Sequence, residues 1–217
     1  MNTLDAIRDA LPEYARDLRL NLSSVLATPG APGLTVTQIW SVALAAAAAS
    51  GNPRFTAEME TLAAAHLDAA HRQAAHAAAA IMAMNNVYYR FVHLVEDAEY
   101  TTLPARLRMN VIGNPGIARA DFELLSLVVS AINGCGACVA SHERQVRQQG
   151  VGREAVQSAV RIAATVHAVA RVLKNAQPAD GAREARAAWP RSPPAARGGR
   201  RSGAQKTNGI SIRVRAL

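Results

Sequence analysis

The sequence predicts an all-α, multihelical fold, on three observations. Half of the residues are hydrophobic but only 4% are aromatic, and alanine dominates the apolar set, a composition that lets helices pack closely. Apolar residues recur at helical spacing, as in Leu11, Tyr14, Leu18 and Leu22, while β-branched residues alternating with polar ones, the mark of a half-buried strand, are few. Helix-start signatures also stand in front of apolar runs at several points.

Leu4 to Leu26 carries a helical pattern, with Pro12 placed to open a second helix at its first turn. Residues 27–33 are a loop by composition. Thr35-x-x-Gln38 reads as a capping box opening a helix through Ser50. Gly51-Asn52-Pro53 ends that helix and starts the next, with Asn52 as N-cap and Pro53 at the first helical position. Thr56 to Leu94 holds one or two long Ala-rich helices, divided near Leu67–Asp68, and Glu96 to Arg106 is a connector with a short helix. Gly113-Asn114-Pro115 repeats the Gly-Asn-Pro turn 62 residues on, which admits two helical half-repeats and equally a coincidence. Asp121 to Ile132 is a strongly apolar helix broken by Gly134; the next runs from about Cys135 to Gln149 and closes at Gly150; the last spans Arg153 to Lys174.

Beyond that point, prolines and glycines break every periodicity. Residues 176–217 are predicted to be a disordered basic tail, and residues 1–175 a helical domain. The tail carries nine basic residues against two acidic ones, so +7 of the formal +8 lies there and +1 is left for the body. The body's near-neutrality gives no support to specific nucleic-acid binding. The N-terminus lacks the basic and apolar regions of a signal peptide, and the longest apolar run, Val42 to Ala49, is too short to cross a membrane. The expectation is a soluble, cytoplasmic protein with no membrane partner.

The two cysteines of the chain, Cys135 and Cys138, form a C-x-x-C pair, with His142 four residues on. On a helix starting near Cys135, at about 100° per residue, positions 135, 138 and 142 fall within roughly 60° of one another. Cys138 and His142 become i,i+4 neighbours, within reach of proton transfer. A thiolate is the working nucleophile of such a pair, and a helix N-terminus with an adjacent histidine lowers a thiol pKa. The alternative for these three residues is a metal site, although no second Cys/His cluster completes it; the expectation is no metal. Glu123 alone reads most simply as a helix-start charge favoured by the dipole. His66, His71 and His76, spaced by five, spiral around a helix and read as solvated or locally paired. His93 and His167 carry no reading. Met82, Met84 and Met109 read as core filler, and Asn85 and Asn86, with Tyr88 and Tyr89, as ends of packing layers or a pocket wall.

Further stretches combine into a pattern. They are Ala10-Leu11-Pro12-Glu13-Tyr14-Ala15, Leu20-Asn21-Leu22-Ser23-Ser24, the run from Ala80 through Met82, Asn85 and Asn86 to Arg90, Leu107-Arg108-Met109-Asn110, Asn114-Pro115-Gly116-Ile117, Asp121-Phe122-Glu123-Leu124, and Ser130 to Cys135 followed by Cys138 and His142-Glu143. On these, residues 1–174 or so resemble the AhpD family of alkyl hydroperoxide reductases, lipoyl-dependent peroxiredoxins that serve the peroxidase AhpC. The resemblance implies an all-α homotrimer with antioxidant thiol peroxidase and disulfide reductase activity. It implies Cys138 as the peroxide-reacting thiol that becomes sulfenic acid, Cys135 as the resolving thiol and proton donor, the two closing a redox disulfide, and His142 and Glu123 as a proton relay. It implies no bound cofactor. The electron donor is dihydrolipoamide on a lipoylated acyltransferase, and the acceptor is an AhpC-type peroxiredoxin or a hydroperoxide directly. The family's best-known member has a histidine immediately before the second cysteine; here that position is Ala137, so the relay is one member short.

Two other classes compete. Carboxymuconolactone decarboxylases resemble the same fold, but their chemistry has no need of a dithiol. A non-enzymatic metal-binding module would use Cys135, Cys138 and His142 without turnover.

Overall fold

In the computed structural model the described residues run from 3 to 176, and they form ten α-helices and two short 3-10 turns with no strand among them. The order is α1 (Thr3–Asp9), a 3-10 turn at Glu13–Ala15, α2 (Arg16–Val25), a second at Thr28–Gly30, α3 (Val36–Ala49), α4 (Pro53–Ala63), α5 (Ala69–Leu94), α6 (Glu99–Thr102), α7 (Asn110–Gly113), α8 (Arg119–Ile132), α9 (Gly136–Gln148) and α10 (Arg153–Ala176). The predicted disorder of the tail lies, beyond Ala176, outside the described residues.

The α3 helix is the centre of the body. Every residue from Ile39 to Ala47 is buried, so the helix is apolar all round and needs neighbours on every side. It has them in α4, α5, α8 and α10. Its run of small side chains lets those helices approach closely. Its start is fixed as the sequence predicts: Thr35 Oγ1 accepts the Gln38 amide at 3.1 Å and Gln38 Oε1 accepts the Thr35 amide at 2.9 Å. The other end of the Gln38 amide donates to Asp121 Oδ1 at 2.7 Å, tying the start of α3 to the first turn of α8.

The next boundary also follows its signature. Asn52 caps α4 by accepting the Phe55 amide at 3.1 Å, and its Nδ2 donates to the Ala170 carbonyl of α10 at 2.9 Å. The long Ala-rich stretch divides at Asp68, which caps α5 by accepting the His71 amide. Two expectations differ in detail. The segment from Leu4 to Leu26 is three pieces, because Pro12 stands in extended conformation before a 3-10 turn instead of inside a helix. The two Gly-Asn-Pro turns do different work: Asn52 opens α4, while Asn114 stands just past the end of the four-residue α7.

Burial of α8 anchors the site. Phe122, Leu124, Leu125, Leu127, Val128 and Val129 are all essentially inaccessible, each contributing about 1.5–3 kcal/mol relative to exposure. Amphipathic α10 closes the core with Ala159, Ile162, Ala163, Val166, Val169 and Ala170 on one stripe. Among the described residues no helix is long and apolar enough to cross a membrane.

Candidate active site

The turn between α8 and α9 places the dithiol. Gly134 takes a left-handed φ of +70° after the end of α8, a conformation that costs a glycine little. The chain then reverses so that the Cys135 amide donates to the Ser130 carbonyl at 3.1 Å. Cys135 thereby becomes the N-cap of α9, and its Sγ accepts the Cys138 amide at 3.3 Å. A disulfide joins Cys135 and Cys138, whose Cα atoms lie 5.3 Å apart. Both sulfurs therefore sit at the positive end of a thirteen-residue helix, which favours thiolate over thiol once the bond is reduced.

His142 lies one turn beyond Cys138 on α9, and Glu123 meets it from α8. The His142 Nδ1 to Glu123 Oε2 distance is 2.7 Å. Glu123 is 4% exposed, and Arg119 Nε approaches its other oxygen only to 3.8 Å. A carboxylate buried so deeply needs a partner, and His142 supplies it. The reading of Glu123 as a helix-start charge is corrected here: it lies past the first turn of α8 and faces α9. A carboxylate accepts, so Nδ1 is the donating nitrogen of this bond and Nε2 lies outside it.

Cys138 and His142 open together onto a cleft of about 290 Å³, lined also by Met82, Asn85 and Tyr89 of α5, Met109 and Ile112 at α7, and Ala137 and Ser141 of α9. Cys135 does not line it and is 1% exposed. The two thiols are thus unequal, with Cys138 on the cleft and Cys135 behind it. Ala137 and Tyr89 also border a wider groove of about 470 Å³ that includes His93, Glu96, Asp97 and Thr101. Met82 is core filler as expected, fully buried, and also meets the cleft, whereas Met109, expected likewise, is half-buried cleft wall.

Composition alone does not reveal what holds the turn. Asn86, 1% exposed, donates from Nδ2 to Ser130 Oγ and accepts at Oδ1 from Asn133 Nδ2, both at 2.9 Å. Arg90 donates to the Asn133 carbonyl at 2.7 Å. These bonds pin the residues just before Cys135 to α5. The available signal was two adjacent asparagines inside an Ala-rich helix, where amides are costly unless paired.

Four other histidines are accounted for locally. His66 falls between α4 and α5 and stacks on Trp40 with ring centroids 4.6 Å apart; His71 meets Asp68 and His76 meets Glu60, each at 2.8 Å. His167 Nδ1 lies 3.2 Å from Ser50 Oγ, and partial burial with the Arg171 charge nearby holds its pKa below the ordinary histidine value. Among the described residues no group of three or more His, Cys, Asp or Glu is arranged to hold a metal ion.

Comparison with known proteins adds two findings. The family model described as the carboxymuconolactone decarboxylase family matches residues 98–181, a span that contains Glu123, both cysteines and His142. The chain is also similar to relatives named alkyl hydroperoxide reductase AhpD. That of Rhodospirillum centenum is 56% identical over 171 residues, covering 79% of this chain and 90% of the relative. That of Streptomyces avermitilis is 54% identical over 170 residues, covering 78% and 94%. That of Frankia alni is 49% identical over 186 residues, covering 86% and 99%.

Proposed function

This chain belongs to the AhpD family of alkyl hydroperoxide reductases, and from that membership we propose that it reduces organic hydroperoxides through the Cys135–Cys138 dithiol. The observation that carries the reading is the arrangement of a redox pair at the start of α9, one sulfur on a cleft, with a carboxylate-oriented imidazole one turn away.

The chemistry follows from those positions. His142 Nε2 takes the Cys138 proton while Glu123 holds Nδ1 and stabilises the imidazolium. The Cys138 thiolate attacks the terminal peroxide oxygen. The S–O bond forms, the O–O bond breaks, and the sulfur is oxidised by two electrons to sulfenic acid. The departing alkoxide takes the Cys135 proton and leaves as alcohol. The Cys135 thiolate then attacks the Cys138 sulfur, and the expelled hydroxide takes the proton from His142 and leaves as water. Two thiols and one hydroperoxide become a disulfide, an alcohol and water. Ala137 offers no proton-carrying group, so the relay runs through His142 and Glu123 alone.

A thiol reductant supplying two electrons must regenerate the pair by disulfide exchange, and the proposed donor is a dithiol. In the proposed cycle it is dihydrolipoamide carried on a lipoylated acyltransferase in the cytoplasm, and the electrons also reach an AhpC-type peroxiredoxin. The groove that meets the Cys138 cleft at Tyr89 and Ala137 supports this by offering an extended arm a place to lie. A homotrimer is proposed as the working assembly, supported by exposed Val87, Phe91, Leu94 and Leu103 at the end of α5 and just beyond α6. The decarboxylase reading has the partial family match but leaves the dithiol without a task. The test is turnover of cumene hydroperoxide with dihydrolipoamide, glutathione or reduced thioredoxin. Dihydrolipoamide is expected to support it, and Cys135→Ser and Cys138→Ser each to abolish it. Full activity in either variant would overturn the assignment.

A further inference from the structure

Asn85 and Asn86 are adjacent and both buried, at 5% and 1% exposure, yet their amides have opposite fates. Asn86 is bonded at both ends, to Ser130 and Asn133. Asn85 Oδ1 is buried without a hydrogen-bond partner. A native fold rarely leaves such an atom unpaired, because desolvating it costs stability with nothing returned. Asn85 lies on the wall of the cleft that Cys138 and His142 share, where most of the other lining is apolar, including Met82, Met109 and Ile112.

We propose that Asn85 is the substrate-binding residue that receives the O–H of a hydroperoxide. This rests on the hydroperoxide reductase reading above. An amide oxygen is an acceptor and the terminal O–H of a hydroperoxide is a donor. Oδ1 is itself covered at the cleft wall, so the amide turns toward the cleft to accept that hydrogen, and doing so fixes the terminal oxygen, the atom that the Cys138 thiolate attacks. The hydrogen stays on that oxygen as it becomes the sulfenic acid, so Asn85 orients and does not transfer a proton. The thiol proton is still taken by His142.

The experiment uses the reduced full-length chain, mixed rapidly with increasing cumene hydroperoxide and quenched by thiol alkylation. Asn85→Leu, close in size but without the acceptor, is expected to raise the half-saturating hydroperoxide concentration about 10–100-fold, the cost of leaving a buried O–H without its acceptor, with less than about a threefold change in the saturated rate. Asn85→Ser withdraws the same oxygen with a smaller side chain and is expected to shift it in the same direction, which keeps the test open if the leucine variant does not fold. An unchanged half-saturating concentration, or a fall in saturated rate alone, overturns the proposal and marks Asn85 as a packing residue. A wild-type chain inert to every hydroperoxide overturns the reductase reading itself, and this proposal with it.

Discussion

Replacing Glu123 by glutamine removes one negative charge from a buried position and almost nothing else. In the wild type the carboxylate holds His142 Nδ1 at 2.7 Å, with Glu123 4% exposed. A hydrogen bond with a charged partner contributes about 1.5–3 kcal/mol. The contribution matters most when His142 is an imidazolium, which is when it holds the Cys138 proton. At about 1.4 kcal/mol per tenfold in rate, the loss corresponds to roughly 10–150-fold slower oxidation of Cys138. Glutamine adds a second defect: its NH₂ group can donate to Nδ1, which moves the ring proton to Nε2, where it blocks the base. The assay is single-turnover oxidation of the reduced protein by cumene hydroperoxide between pH 5 and 9, with thiols counted by alkylation and mass. A variant with the wild-type rate and the wild-type pH profile would refute the relay.

Other consequences follow from particular contacts. Asn52→Ala removes the cap of α4 and the bond to the Ala170 carbonyl, so urea unfolding should show a loss of about 2–3 kcal/mol; a loss below 0.5 kcal/mol would show that the cap carries little. Gly134→Ala meets no atom within 4 Å of the added Cβ but forces an alanine to φ +70°, so the expected loss is about 1–2 kcal/mol from backbone strain alone, read in the same experiment. The depressed pKa of His167 means that the unfolded chain binds a proton more readily than the folded one. Its contribution is present above the ordinary histidine pKa of about 6.5 and is lost as pH falls through the lower folded value. Urea stability of the wild type should therefore decline over that interval more steeply than that of His167→Gln, and parallel curves would contradict the assignment.

Local signals in the sequence announce the fold boundaries because each has a short-range cause. Thr35 with Gln38, and Asn52 with Pro53, specify helix starts through their own backbone neighbours, and the structure has both where expected. Pro12 was less informative, since a missing N–H is compatible with a helical first turn and with the extended residue that precedes a 3-10 turn. Within the site, Cys138 and His142 were legible as a pair because i,i+4 spacing on one helix is a local fact. Glu123 was not legible from spacing, because its partner comes from another helix; only the family resemblance pointed to it. Asn85 and Asn86 looked alike in sequence. What separates them is the packing of α8 against α5, which pairs one amide at both ends and leaves the other on the cleft.

The most direct measurement is mass spectrometry of reduced Cys135→Ser protein treated with one equivalent of cumene hydroperoxide in the presence of dimedone, which captures sulfenic acids. Without the resolving thiol the cycle stops after the first step, so the dimedone adduct is expected on Cys138, the sulfur that lines the cleft. The same treatment of Cys138→Ser is expected to give no adduct. An adduct on Cys135 in that variant at a comparable rate, or no oxidation of Cys138 in the first, would contradict the assignment of the peroxide-reacting thiol.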